Sequence, residues 1–308
     1  MAEPDEPIFD DGAAAAEPMA AANGLAAAAD DGLFGPGSVT WRLMGEPIMW
    51  VAGFRALYLQ ALHPRTMRGT WQNTAFADPR ESFGRLTRTT GFVRIRTFGS
   101  MADVDRAGRR IRKIHASLTA VDTDGTTFRI DEPEQLLWVH CGEVASYVDV
   151  ARRSGMPLCT HDLDRFVDEQ RKSAAVVGLD QADVPASVDE LEAYYDVMRP
   201  KLHACPEAKR ALWLSFNPAV PRKLLPLKLV APPFNTLAFA TLPRWARKMY
   251  GAPGSPLTDV AATATMRVLY ATTRGLPEQI RYTPPVRQAR QRVREYERQR
   301  SARLRAVT

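Results

Sequence analysis

An all-α fold is predicted by three features of the sequence. Apolar residues recur at three- and four-residue spacings from Trp41 almost to the C-terminus. Strand signals are confined to two short runs, 92–97 and 128–130, with no βαβ series and no regular hairpin array. The 308 residues, 45% of them hydrophobic, suffice for one large core that needs neither disulfides nor metal. Three cysteines, Cys141, Cys159 and Cys205, are too few and too oddly numbered for a secreted framework, and without a CxxC pair they suggest neither zinc nor dithiol chemistry.

Residues 1–38 are mostly Ala, Asp, Glu, Pro and Gly and cannot bury enough apolar surface to offset ordering, so a disordered tail is expected. No early positive charge precedes an apolar core and no Arg pair stands there, so the expected location is the cytoplasm. The segment 46–62, opened by Glu46-Pro47, is apolar on most faces, which places it inside the fold; it ends at His63-Pro64 because proline cannot continue the ladder. Asp78-Pro79 opens a helix over 79–90. Ser100 is the candidate cap of a helix over 101–118, with Asp103 and Asp105 in its first turn and Val104, Ala107, Ile111 and Leu118 in one stripe. A further helix over 133–153 stops at Gly155. Helical spacing continues over 161–178, 187–199, 207–215, 235–249, 256–274 and 286–306.

Ten prolines between Pro200 and Pro256 predict short helices wrapped on a core rather than a linker. The most apolar stretch, 224–242, is broken by Pro226, Lys228, Pro232 and Pro233; it is too interrupted to span a membrane and is expected inside the protein. The chain thus divides into the tail 1–38, a helical body 39–285 and a basic helix 286–308. Net charge is +6, but residues 1–41 hold eight acids and no Lys or Arg, so the remainder carries 41 minus 27, or +14. Half of that lies after residue 280, where nine arginines face Glu295 and Glu297.

Three of the five histidines, His63, His115 and His140, fall on or beside apolar helical faces. His115 follows Ile111 by four residues, and His140 stands midway between Leu136 and Val144. A buried histidine is more often a hydrogen-bonded core residue than a ligand, yet three in succession favour a site, because burial keeps imidazole neutral with a lone pair for iron. Arg85, Arg88 and Thr89 share a helical face. Read plainly, that is a basic helix end; directed into a pocket, it supplies donors to a bound oxygen species or acidic group. No GxGxxG, P-loop, HExxH, GxSxG or Glu-x-x-His motif accompanies them.

The order Leu62-His63-Pro64, Asp78-Pro79, Arg85-Leu86-Thr87-Arg88-Thr89-Thr90, Phe98-Gly99, Arg112-Lys113-Ile114-His115-Ala116 and Leu137-Trp138-Val139-His140 resembles the haem-dependent oxygenases. That family includes the bacterial latex-clearing (rubber oxygenase) proteins and the fungal MpaB oxygenases, and the resemblance extends from about Trp41 to Arg287. It implies a single large helical domain enclosing a b-type haem, His115 as proximal iron ligand with His63 and His140 as further candidates at the cofactor, and O2 as co-substrate. Arg85, Arg88 and Thr89 are the implied catalytic face, with oxidative C=C cleavage of a small apolar substrate, an isoprenoid or unsaturated lipid, as the reaction. Arg88 departs from rubber oxygenases, which carry there a lysine able to occupy the distal iron site; a guanidinium has no lone pair to give.

Two alternatives stand beside this reading. One is a haem-binding protein without turnover, a sensor, carrier or redox partner. The other is a helical protein docked through its basic C-terminal helix on an anionic membrane, such as the inner membrane face; nucleic acid is the weaker partner for that helix, which has the pattern of a solvated one.

Overall fold

The computed structural model of the chain describes residues 30–74, 78–218 and 227–307; most of the expected tail, residues 1–29, lies outside them. Among the described residues the fold is α-helical with one small hairpin, as predicted. Its centre is the packing of α2 (Met49–Gln60) on α6 (Pro133–Ser154). Arg55 Nη1 donates to Ser146 Oγ (2.7 Å), Gln60 Nε2 donates to the Val139 carbonyl (2.8 Å), Trp138 Nε1 donates to the Gln60 carbonyl (2.9 Å), and His63 approaches Glu134. Partners on α6 fall in number as those on α2 rise, so the helices are antiparallel. Gly142 permits the close approach: a Cβ there would stand 3.0 Å from Gln60 Cγ. Proline opens α6, and Gly155 ends it in the left-handed conformation, φ 71°.

α1 (Val39–Met44) was not predicted, because six residues carry no readable period. It is set by its start. Ser38 accepts from Trp41 N, while the carboxylate of Glu169 on α7 (Thr160–Val177) accepts from Val39 N, Thr40 N and Thr40 Oγ1. One acid therefore satisfies helix-start donors that water would otherwise have to reach. Likewise α3 (Pro64–Gln72) needed the tertiary setting, with His63 as its cap.

α4 (Pro79–Phe98) runs eight residues past the expected stop at Thr90 and takes in 92–97, which had looked like a strand candidate. The β-branched Val93, Ile95 and Thr97 favour a strand locally. Tertiary bonds that only a helix aligns override them. Arg96 pairs with Glu143 (2.7 Å), Trp41 Nε1 donates to the Thr97 carbonyl (2.7 Å), and Thr97 Oγ1 bonds back to the Val93 carbonyl. Gly99 and Ser100 then turn the chain into α5 (Met101–Ser117), capped by Ser100 as predicted. The hairpin β1 (Thr119–Val121) and β2 (Thr127–Arg129) pairs Ala120 with Phe128, at the place the short strand signal indicated.

The second half follows in short helices: α8 (Val188–Met198), α9 (Pro206–Phe216), α10 (Leu227–Ala240), α11 (Arg244–Met249), α12 (Pro256–Arg274), α13 (Glu278–Arg281) and α14 (Pro284–Val307). The helix expected over 235–249 is two, α10 and α11, because Pro243 interrupts the ladder. The expectation that 224–242 packs inside is corrected at Leu229 and Val230, which are 81% and 58% exposed, while 224–226 lie outside the described residues. Pro232 and Pro233 stand inside α10, where each removes one ladder donor, and the helix nevertheless continues to Ala240. No helix among the described residues is long and apolar enough to cross a membrane.

Residues 30–38, assigned by composition to the tail, lie along the body. Asp30 accepts from Met101 N, Asp31 pairs with Arg292, and the Tyr296 ring abuts Gly37. α13 and α14 close the same side. Glu46, only 7% exposed, accepts from Arg281, from Arg290 (2.9 Å) and from the Tyr282 hydroxyl (3.2 Å), and both guanidinium groups lie over the Tyr282 ring. Replacing one partner of such a group strands the others. Glu46→Gln is expected to cost about 3–5 kcal/mol, read as a lowered urea midpoint; an unchanged midpoint refutes the anchoring role.

Candidate functional site

The α4–α5 hairpin positions the first two candidate residues. Arg85 lies thirteen residues before the end of α4 and His115 fourteen after the start of α5. At 1.5 Å per residue both stand about 20 Å from the Gly99-Ser100 turn, side by side on antiparallel helices. The Arg85 charge does reach His115: it lowers the imidazole pKa, though burial lowers it more, and Asp131 opposes both. His115 is half-buried, and its Nδ1 is enclosed without a hydrogen-bond partner. The result is a neutral ring held between a cation and a carboxylate.

Arg85 turns toward the C-terminal end of α3. Its guanidinium donates to the Thr70 carbonyl (3.4 Å), to Thr70 Oγ1 (3.3 Å) and to Thr74 Oγ1. Part of the residue is accessible, but the guanidinium itself is hemmed in, and desolvation, with Arg88 second, brings its pKa down to about 10. It remains charged at neutral pH. Arg88 and Thr89 are exposed on the surface of α4, so of the shared face only Arg85 turns inward.

His140 is a separate case. It is buried on α6 beside Arg96, and desolvation, followed by the Arg96 charge, pushes its pKa down to about 3. Arg96 is eleven residues along α4 from Arg85, about 16 Å, so His140 and His115 lie at different levels of that helix. His63 is engaged as a cap: Nδ1 accepts from Thr66 N (3.2 Å), Nε2 lies 3.4 Å from Glu134 Oε1, and the ring is 6.4 Å from that of Trp138. Burial lowers its pKa against the pull of Glu134, which Lys201 also holds.

Thr70, Thr74 and Asp131 join the site without having been singled out in the sequence. The two threonines are four apart, one helical turn, but α3 itself was not predicted; Asp131 follows a strand and shows no spacing to read. Among the described residues no three His, Cys, Asp or Glu side chains converge as a set of metal ligands.

The His140 shift has a definite sign. Above pH 6.5 neither folded nor unfolded chain protonates it; below, the unfolded chain takes a proton that the folded one refuses, and stability falls by about 1.4 kcal/mol per pH unit toward pH 3. Between pH 7 and pH 5 the wild type is expected to lose about 2 kcal/mol more than His140→Gln. Urea unfolding of both proteins at the two pH values measures it; equal losses contradict the assignment.

Comparison with curated proteins and with solved structures returned no match. A family model does match, over residues 41–274, which runs from the ring of Trp41 on α1 to the end of α12 and takes in every residue placed above. The chain therefore belongs to the family described as ER-bound oxygenase mpaB/B'/Rubber oxygenase, catalytic domain.

Proposed function

We propose that the chain is an oxygenase that holds a b-type haem through His115 and acts with O2 on a small, apolar, unsaturated molecule. The observation that carries the reading is the enclosed, unpartnered Nδ1 of His115 in a chain of the oxygenase family. A satisfied core histidine would have both nitrogens engaged, as His63 has. His115 instead offers a neutral imidazole, which is the protonation state a ligand to iron requires. Among the described residues no group of three His, Cys, Asp or Glu side chains offers an all-protein metal site, and a haem iron would need only the one imidazole from the chain.

A haem bound at this place supplies the oxygen chemistry, as cofactors of this class do. The chain's own residues do the rest. Asp131 and burial set the basicity of His115. Arg85, fixed by Thr70 and Thr74, presents a desolvated positive charge to an anionic oxygen on cofactor or substrate, where it acts more strongly than in water. Arg88 and Thr89, on the adjoining exposed face, offer further donors, and Arg88 binds anions but not iron. His140, kept neutral and buried, adds no charge to the interior. The family's description includes rubber oxygenases, and rubber being a polyisoprenoid supports an isoprenoid or an unsaturated lipid as the small-molecule substrate.

His115→Ala is expected to abolish the visible haem absorbance of the purified, haem-supplemented protein while leaving its far-ultraviolet circular dichroism unchanged. A normal haem spectrum in that variant defeats the ligand assignment. Arg88 in place of a lysine keeps a second reading in view, haem binding without turnover. Oxygen uptake separates the two: the oxygenase consumes O2 on addition of an isoprenoid or unsaturated fatty acid, and a binder does not.

A further inference from the structure

We infer that the exposed faces of α9 and α10 form a docking surface for an anionic lipid bilayer. The sequence marks the region first. Residues 208–258 contain no Asp or Glu and eight Lys and Arg, in a chain whose overall balance is only 41 basic to 35 acidic residues. The structure then shows what is outside. On α9, Pro206, Lys209, Arg210 and Trp213, and after them the cap residue Asn217, are exposed at helical spacing, and none is an acid. Trp213 is 55% exposed, with the Arg210 guanidinium 5.1 Å over its ring. On α10, Lys228, Leu229 and Val230 are exposed together.

Indole, Leu and Val beside Lys and Arg is the composition of an interfacial helix: the ring sits at headgroup depth, the aliphatic groups enter the acyl boundary, and the cations meet lipid phosphates. The long basic side chains reach outward while their stems cover apolar surface. Glu207, the nearest acid in the sequence, is taken up by Arg68 on α3 (3.7 Å), leaving no acid on this face of α9 to repel an anionic leaflet. Among the described residues Lys209, Arg210 and Lys228 form no ion pair. The neighbouring α2, which meets α10 through the edge-to-face pair of Phe54 and Phe234 (5.1 Å), adds exposed Trp50 and Leu57.

The C-terminal helix is the contrasting case. It carries more arginines, but Arg290, Arg292 and Arg294 are held by Glu46, Asp31 and Glu278, and Arg281 just before it is held by Glu46 too. With those three pairs and with Glu295 and Glu297 among its eight arginines, its positive charge is in part answered by acids. That of α9 and α10 is not.

Co-sedimentation of the full chain with vesicles tests the proposal, using phosphatidylcholine alone and phosphatidylcholine with about 30% phosphatidylserine. The wild type is expected to pellet with the anionic vesicles and to be released by salt. The triple variant Lys209→Gln, Arg210→Gln, Lys228→Gln is expected to bind on the order of a hundredfold more weakly. The pair Trp213→Ala, Leu229→Ser weakens binding with the charge intact, and Arg298→Gln with Arg305→Gln on α14 leaves it within about twofold. The substituted side chains on α9 and α10 are exposed, so thermal midpoints stay unchanged. Equal sedimentation with both vesicle types, or full binding by the triple variant, overturns the proposal. So does a concentration-dependent dimer that Trp213→Ala dissolves in a chain that ignores lipid, since a second copy then covers this face.

Discussion

Everything else in the structure is referred to the antiparallel packing of α2 on α6. The two helices come close enough at Gly142 for Gln60 to lie against bare backbone, and the polar groups trapped between them are each answered across the interface. Arg55 is the severest case. Its buried guanidinium donates to Ser146 and to the Thr241 carbonyl and lies 3.4 Å from Asp149, so it ties α2, α6 and the end of α10 to one register. Shifting either helix by one residue would break several of these bonds at once and leave buried donors unmet, which is far costlier than losing an exposed pair.

Desolvation is the common physical cause in the candidate site. It keeps His115 and His140 neutral and brings down the Arg85 pKa, but it reaches different ends because the neighbours differ. His115 has a carboxylate and a cation in range and a nitrogen with no bond to make. His140 has only the Arg96 charge, which Glu143 already shares. His63 has Glu134 and a helix start to cap. Three histidines that look alike along the chain therefore have three environments, and in His115 a ring nitrogen is fully enclosed without a partner.

The acids of this basic protein are used sparingly and more than once. Glu169 holds the start of α1, Glu46 gathers Arg281, Arg290 and Tyr282, and Glu143 fixes Arg96 at the far end of α4. Trp41 bridges the same helices, bonding to the Thr97 carbonyl on one side and lying under the Arg292 guanidinium at 5.0 Å on the other. Through these few residues the segments flanking the family-matched region, 30–38 and α13 to α14, are attached to it, and the composition of either segment alone would have suggested a free end.

What the sequence by itself determined was the helical class, most helix starts and stops, a short strand signal near Phe128 and the order of motifs that carries the family. These are local matters: Ser100, Gly155 and the helix-opening prolines act within one turn of where they stand. The placement of Arg85 beside His115 was not readable, because it needs α4 to run on past Thr90 to Phe98 before the chain turns at Gly99-Ser100. Tertiary structure decided the rest. Whether 92–97 is strand or helix turned on Arg96 and Trp41 finding partners; whether α1 and α3 exist turned on Glu169 and on packing that segments so short cannot supply for themselves. Which arginines are neutralised and which face solvent turned on acids more than two hundred residues away, as with Glu46 and Arg290. Pairing at that range depends on how the chain is folded and has no periodicity along it, so composition registers the charge but not its partner.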